Sequence, residues 1–129
     1  MSGTENTSLL SPSVLAFVGD AVYGLYVRTA LAAVNRPSGE LHRLSVGAVN
    51  AVAQAKAFRL IEPELNKEEL AVFRRGRNFH TASAPKGATK ADYHTATGLE
   101  CLFGWWYLTG NQERAQAIFE RIRTELFVF

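Results

Sequence analysis

Apolar residues recur along this chain at helical intervals, and the intervals are broken at a few clear points. Leu15, Val18, Val22 and Leu25 fall on one side of a 3.6-residue repeat. Ser11-Pro12 opens that stretch with a capping hydroxyl and a proline at the first turn, where a missing N–H costs nothing. The helix is expected to run from Pro12 to about Val34, and Arg36-Pro37 breaks it. A short helix over about Gly39 to Leu44 and an Ala/Val-rich one over about Val46 to Ile61 follow, the latter ending before Pro63. Asn66 with Glu69 three residues on forms a capping-box pattern, opening a helix through about Asn78. Residues 80–91 are the one long irregular segment. A long apolar helix is expected from about Asp92 to Thr109, stopped by Gly110, with Asn111 capping a last helix to about Leu126. No strand pattern appears, so the expected fold class is all-α, a compact multi-helix domain over residues 11–129. Residues 1–10 are expected to be a disordered N-terminal segment.

Composition narrows the picture further. A chain of 129 residues is the size of one domain, and 47% apolar content supports a core. The single cysteine, Cys101, permits no internal disulfide and is consistent with a reducing compartment. Residues 1–8 lack the basic and apolar regions of a secretory signal, and no uninterrupted apolar run reaches bilayer length. The expectation is therefore a cytoplasmic protein with no membrane partner.

Charge is small in total but local in distribution. Residues 71–94 carry five Lys/Arg against one Asp, while the segments on either side are each slightly acidic. Such a patch suits an anionic partner, and it suits a solvated loop equally well on charge alone.

Two acids stand out because each lies within an apolar helix: Asp20 in Leu15–Tyr23 and Glu100 in Tyr93–Gly104. Each has a glycine nearby, Gly19 and Gly98 respectively, in a position that costs a helix about 1 kcal/mol relative to alanine. Gly19 marks a close approach to the backbone, either by a ligand or by a neighbouring helix. If the two helices pack together, both carboxylates can share one hard cation through oxygen, and Mg²⁺ suits a site with few carboxylates. His42, His80 and His94 have no zinc-ligand spacing with Cys101, which reads as a small core residue. Trp105, Trp106 and Tyr107 read as core or interface. Tyr23 and Tyr93 stand near the acids, either to orient ligands or to pack.

Phe17-Val18-Gly19-Asp20-Ala21-Val22 resembles the signature of the ribonuclease III family, and Thr97-Gly98-Leu99-Glu100-Cys101-Leu102 resembles its second acidic motif. Between them Arg74-Arg75-Gly76-Arg77-Asn78, Pro85-Lys86 and Tyr93 resemble the Mini-III branch in order and spacing. The resemblance covers roughly residues 9–126. It departs from ordinary ribonuclease III at Ala16 and Thr97, where that family carries acids, and Mini-III enzymes share this reduced set.

The resemblance implies a ribonuclease III endonuclease domain that cuts double-stranded RNA with Mg²⁺, Mn²⁺ substituting, and leaves 5′-phosphate and 3′-hydroxyl ends. It implies Asp20 and Glu100 as catalytic metal ligands. Arg74, Arg75, Arg77, Asn78, His80, Lys86 and Lys90 become the expected RNA contacts. It further implies a homodimer anchored by Phe17, precursor ribosomal RNA as substrate, and no appended double-stranded-RNA-binding domain. For Phe17 the competing expectation is a place in its own subunit's core. A non-catalytic RNA-binding or ribosome-assembly protein of the same fold is the alternative function.

Overall fold

The structure is a computed structural model, described over residues 10–79 and 89–129. Among the described residues six α-helices follow in order: α1 Pro12–Ala32, α2 Ser38–Val49, α3 Ala51–Ile61, α4 Lys67–Arg77, α5 Lys90–Leu108 and α6 Gln112–Leu126. A 3₁₀ turn, Glu62–Glu64, links α3 to α4. There is no strand among the described residues.

Helix α5 is the axis of the domain. From Ala96 to Trp106 every residue but Glu100 is buried, so α5 is apolar nearly all round and must be wrapped by its neighbours. Helices α1, α3, α4 and α6 supply that wrapping. Glycines set the closest approaches. A Cβ on Gly19 of α1 would overlap the Glu100 carbonyl oxygen and lie 2.9 Å from the Gly104 amide nitrogen. Gly104 in turn faces Leu15 of α1. On the other side, Gly76 of α4 packs on Gly98 and Cys101 of α5. The sequence left open whether Gly19 admits a ligand or a helix; it admits α5.

Aromatic packing fills the rest. Tyr23 meets Phe103 and Phe119 edge to face, with ring centroids 5.0 and 5.5 Å apart, and Phe58 stacks on Phe73. Trp105 and Trp106 are core as expected, whereas Tyr107 is half-exposed. Cys101 is buried and its Sγ donates to the Pro12 carbonyl at 3.1 Å. Burial, with the Glu100 carboxyl next in effect, pushes its thiol up to about 12, and so removes it as a nucleophile.

The caps explain where the helices stop, and they correct several expected boundaries. Ser11 accepts from the Val14 amide and Pro12 occupies the first turn, as expected. The second and third helices divide at Asn50, not near residue 45. Asn50 is extended, and its Oδ1 accepts from the Ala53 amide at 2.8 Å to start α3. The capping box at Asn66 and Glu69 is complete in both directions. Helix α5 begins at Lys90, earlier than expected, because the Thr89 hydroxyl caps the Asp92 amide. Residues 90 and 91 are thus helical and not loop. Gly110 stops α5 at φ +77°, but Asn111 makes no side-chain cap to α6.

Glu69 does more than cap. Its Oε2 accepts from Trp106 Nε1 at 3.0 Å and Arg114 Nε at 2.9 Å, and its Oε1 from Arg114 Nη2 at 3.0 Å. Burial alone would raise its pKa. The bonds from Arg114, the Asn66 amide and Trp106 outweigh that and hold it below the usual range. One carboxylate therefore ties α4, α5 and α6 together.

Candidate active site

The Gly19 contact decides the position of the acids. It seats Asp20 of α1 directly beside Glu100 of α5, and the two carboxyl groups lie within hydrogen-bonding reach. Asp20 is exposed, while Glu100 is mostly buried. Burial is the larger cause, and contact with Asp20 the next, that pushes Glu100 up to about 8. Gln54 of α3 faces Glu100 and acts weakly in the opposite direction. Its Nε2 is buried without a hydrogen bond of normal geometry. At neutral pH Glu100 therefore keeps its proton unless a cation replaces it.

The site opens into a cleft of about 730 Å³. Its walls come from the α2–α3 junction, the middle of α5 and the chain beyond α6, including Asn50, Gln54, Lys56, Tyr93, Glu100 and Phe127. Thr97, one turn before Glu100, donates its hydroxyl to the Tyr93 carbonyl at 3.1 Å and so is engaged with its own helix. Tyr93 is a wall of the cleft. Tyr23 is buried in the aromatic core, and burial raises its phenol strongly, which makes packing its role.

Both carboxylates offer hard oxygen donors, and a Mg²⁺ ion needs few of them because it keeps most of its waters. No cluster of three or more His, Cys, Asp or Glu exists among the described residues, so a cation here has two protein carboxylates at most. The residues fit such an ion: a dication would favour the ionised form of Glu100 against the burial and the Asp20 contact that now keep it protonated.

The basic residues are partly assembled at the same level of α5. Gly76 presses on Gly98 and Cys101, which flank Glu100 along the helix, and this places Arg74, Arg75 and Arg77 at the exposed end of α4. Arg75 Nη2 donates to the Leu10 carbonyl at 2.7 Å, tethering the residue just before the Ser11 cap. Arg77 lies 5.7 Å over the Phe73 ring, and its Nε donates to Asn78 Oδ1. Lys90 is exposed at the first turn of α5. His80 and Lys86 lie outside the described residues. Gln54 and Lys56 were missed in the sequence. The signal for Gln54 was an amide four residues before Phe58 and seven before Ile61, on the apolar face of α3.

Phe17 does not enter its own core. It is 81% exposed, and with Val14, Ala21 and Leu25 it forms a solvent-facing apolar stripe on α1.

A family model described as "Ribonuclease III domain" matches residues 13–111, a span that includes both acids and the arginines between them. The chain belongs to the ribonuclease III family. Within it the Mini-III branch is the match. The chain is 45% identical to the Mini-ribonuclease 3 of Thermoanaerobacter, over 93% of this chain and 91% of that protein. It is 38% identical to that of Clostridium tetani, over 92% and 80%. A crystal structure of a protein from Fusobacterium nucleatum superposes with a TM-score of 0.83 at 28% identity, covering 90% of this chain and 93% of that one. By length and apolarity α1 of this Mini-III protein passes for a membrane span. Its buried face packs along α5, which is the ordinary use of an apolar helix in a core.

Proposed function

We propose that this protein is a magnesium-dependent endoribonuclease that hydrolyses phosphodiesters of double-stranded RNA as a homodimer. Its proposed substrates are precursors of ribosomal RNA, its products carry 5′-phosphate and 3′-hydroxyl ends, and it works in the cytoplasm. The observation that carries the reading is the meeting of Asp20 and Glu100 at a helix crossing too tight for any residue but glycine at position 19. The identity of its relatives as Mini-ribonuclease 3 proteins supports the ribonuclease class.

Asp20 and Glu100 are the residues that would hold the ion. When bound, it supplies a water of lowered pKa and neutralises charge developing on the phosphate. Glu100 must give up its proton to serve, and the exposed Asp20 keeps the pair open to solvent and substrate. Arg74, Arg77 and Lys90, with Lys56 at the cleft wall, grip phosphates by charge and not by base identity. Arg75 contributes charge from the same turn while bonded to Leu10.

One chain holds one acid pair, and cutting both strands of a duplex calls for two. A two-fold dimer joined through the α1 stripe supplies the second, since an exposed apolar stripe of this kind marks a protein contact. The retained acid pair favours an enzyme over a purely binding descendant. The test is cleavage of a defined RNA duplex by Asp20→Asn and Glu100→Gln. Each is expected to lose at least about a hundredfold in rate with the fold and dimer intact. Cleavage near the wild-type rate by either would overturn the reading.

A further inference from the structure

Three buried side chains among the described residues are polar: Gln54, Glu69 and Thr97. Two are fully accounted for. Glu69 is bonded to Asn66, Trp106 and Arg114, and Thr97 to the Tyr93 carbonyl. Gln54 is 2% exposed, and its Nε2 lacks a hydrogen-bond partner of normal geometry. Leaving such an amide unsatisfied is destabilising, and an apolar residue of the same shape would avoid that cost. Tyr23 Oη and Trp105 Nε1 are also buried without partners, but Gln54 is the one of the three that lines the cleft. What it faces there is Glu100.

We infer that Gln54 is a positioning residue for the acid pair: its amide Nε2 donates to the ionised Glu100 carboxylate when a divalent cation is bound between Asp20 and Glu100. The inference rests on the metal reading of that pair. Its geometric basis is the packing of α3. The Asn50 cap starts α3 at the rim of the cleft, and Phe58 and Ile61 bury the same face of the helix. Gln54 is thereby fixed between a rigid cap and a rigid core. A donor held in this way fixes the rotamer of a carboxylate ligand and leaves its remaining lone pairs to the ion, a task second partners of metal ligands commonly perform. Asp20 is exposed and sits on a different helix, so it needs no such support from α3.

The test uses Mn²⁺ alone as the probe, with affinity read by calorimetry on the purified wild-type protein and on Gln54→Met, Gln54→Leu and Glu100→Gln. Methionine matches glutamine in length and removes only the polar head; leucine is the second apolar variant should methionine pack poorly. Both Gln54 variants are expected to bind Mn²⁺ about tenfold or more weakly. Their melting temperature should equal or exceed that of the wild type, because an unpartnered buried donor has been removed. Glu100→Gln is expected to lose Mn²⁺ binding. If Glu100→Gln abolishes binding while both Gln54 variants stay within about twofold of wild type, the positioning role is wrong and the metal pair stands. If Glu100→Gln binds Mn²⁺ as the wild type does, the metal reading itself fails and the role of Gln54 with it. Weakened binding accompanied by a lowered melting temperature in both variants would also overturn the inference, in favour of a packing role.

Discussion

Replacing Gly19 with alanine tests the geometry on which the site depends. The added Cβ would stand 2.5 Å from the Glu100 carbonyl carbon, 2.9 Å from the Gly104 amide nitrogen and inside the van der Waals radius of the Glu100 carbonyl oxygen. All three are backbone atoms of α5, so no side chain can turn aside. Restoring ordinary contact requires α1 and α5 to separate by at least about 1 Å, and overpacking against rigid neighbours costs about 3 kcal/mol or more. Alanine is the better helix former and returns about 1 kcal/mol. The net loss of about 2 kcal/mol corresponds to a fall of roughly 6–10 °C in Tm for a domain of this size. Gly47→Ala is the matched control: nothing lies within 4 Å of its Cβ position, and it should be neutral or slightly stabilising. Thermal melts followed by circular dichroism measure both. Because the same crossing sets the Asp20–Glu100 approach, Gly19→Ala should also weaken Mn²⁺ binding at temperatures where it remains folded. A Gly19→Ala protein that melts with the wild type and binds metal normally would refute the argument that close helix contact builds the site.

Glu100 and Glu69 should show opposite pH dependence. Glu100, raised to about 8, contributes stability that is fully present below its unfolded value of 4.5 and lost as pH rises towards 8. The metal-free protein should therefore melt lower at pH 8 than at pH 5, by up to about 1.4 kcal/mol per pH unit, and Glu100→Gln should flatten that slope. Glu69, held low by Arg114, contributes stability that is present above its unfolded pKa and lost as pH falls through its folded one. Glu69→Leu should consequently weaken the acid-side fall in stability, while costing about 1–3 kcal/mol at pH 7 by leaving the buried Trp106 Nε1 without its acceptor. Phe17→Ala should leave the fold intact, because the ring is 81% exposed, and should shift the proposed dimer to monomer in analytical ultracentrifugation; a wild-type monomer or an unchanged dimer in the variant would remove Phe17 as an anchor. Neutralising Arg74 and Arg77 together should flatten the salt dependence of duplex RNA binding by about one unit of slope for each phosphate that is no longer paired, and an unaltered slope would take both out of the interface.

Helix identity was legible in the sequence because the apolar periodicity and the caps agree. Pro12, Asn66 with Glu69, and Gly110 all act where their chemistry places them. The boundaries that moved did so for local reasons. Asn50 caps α3 from within a stretch whose periodicity runs on past it, and Thr89 caps α5 from within a segment with no apolar periodicity, so pattern alone gave no sign of either start. The acids could be singled out as anomalies in apolar helices, but their convergence is a tertiary fact set by Gly19 against Gly104, residues 85 positions apart. Gln54 stayed hidden because an amide among alanines looks like an ordinary helix former until its burial is known.

The arrangement joins two requirements that oppose each other. A carboxylate able to hold a cation must sit where its charge is uncomfortable without one, and a helix that carries it must still pack. Here α5 meets both by being buried from Ala96 to Trp106 except at Glu100, with glycines at 98 and 104 absorbing the close approach of α4 and α1. Those small residues let the flanking helices deliver Asp20 from one side and the Arg74–Arg77 turn from the other to the same stretch of α5. The acid pair and the cationic turn are therefore held in register by backbone contact, and side-chain flexibility contributes little to their spacing. A substitution that widens either glycine contact should disturb metal affinity and RNA affinity to different degrees: Gly19→Ala acts on the acids first, and Gly76→Ala on the arginines. The Gly76 Cβ would press mainly on the Cys101 side chain, 2.6 Å from Sγ, and on the Gly98 Cα at 2.9 Å. Mn²⁺ calorimetry and duplex-binding titrations on the two variants should thus give reciprocal patterns. Equal losses in both assays from both variants would mean that the domain responds as one softened body and that the two contacts have no separate tasks.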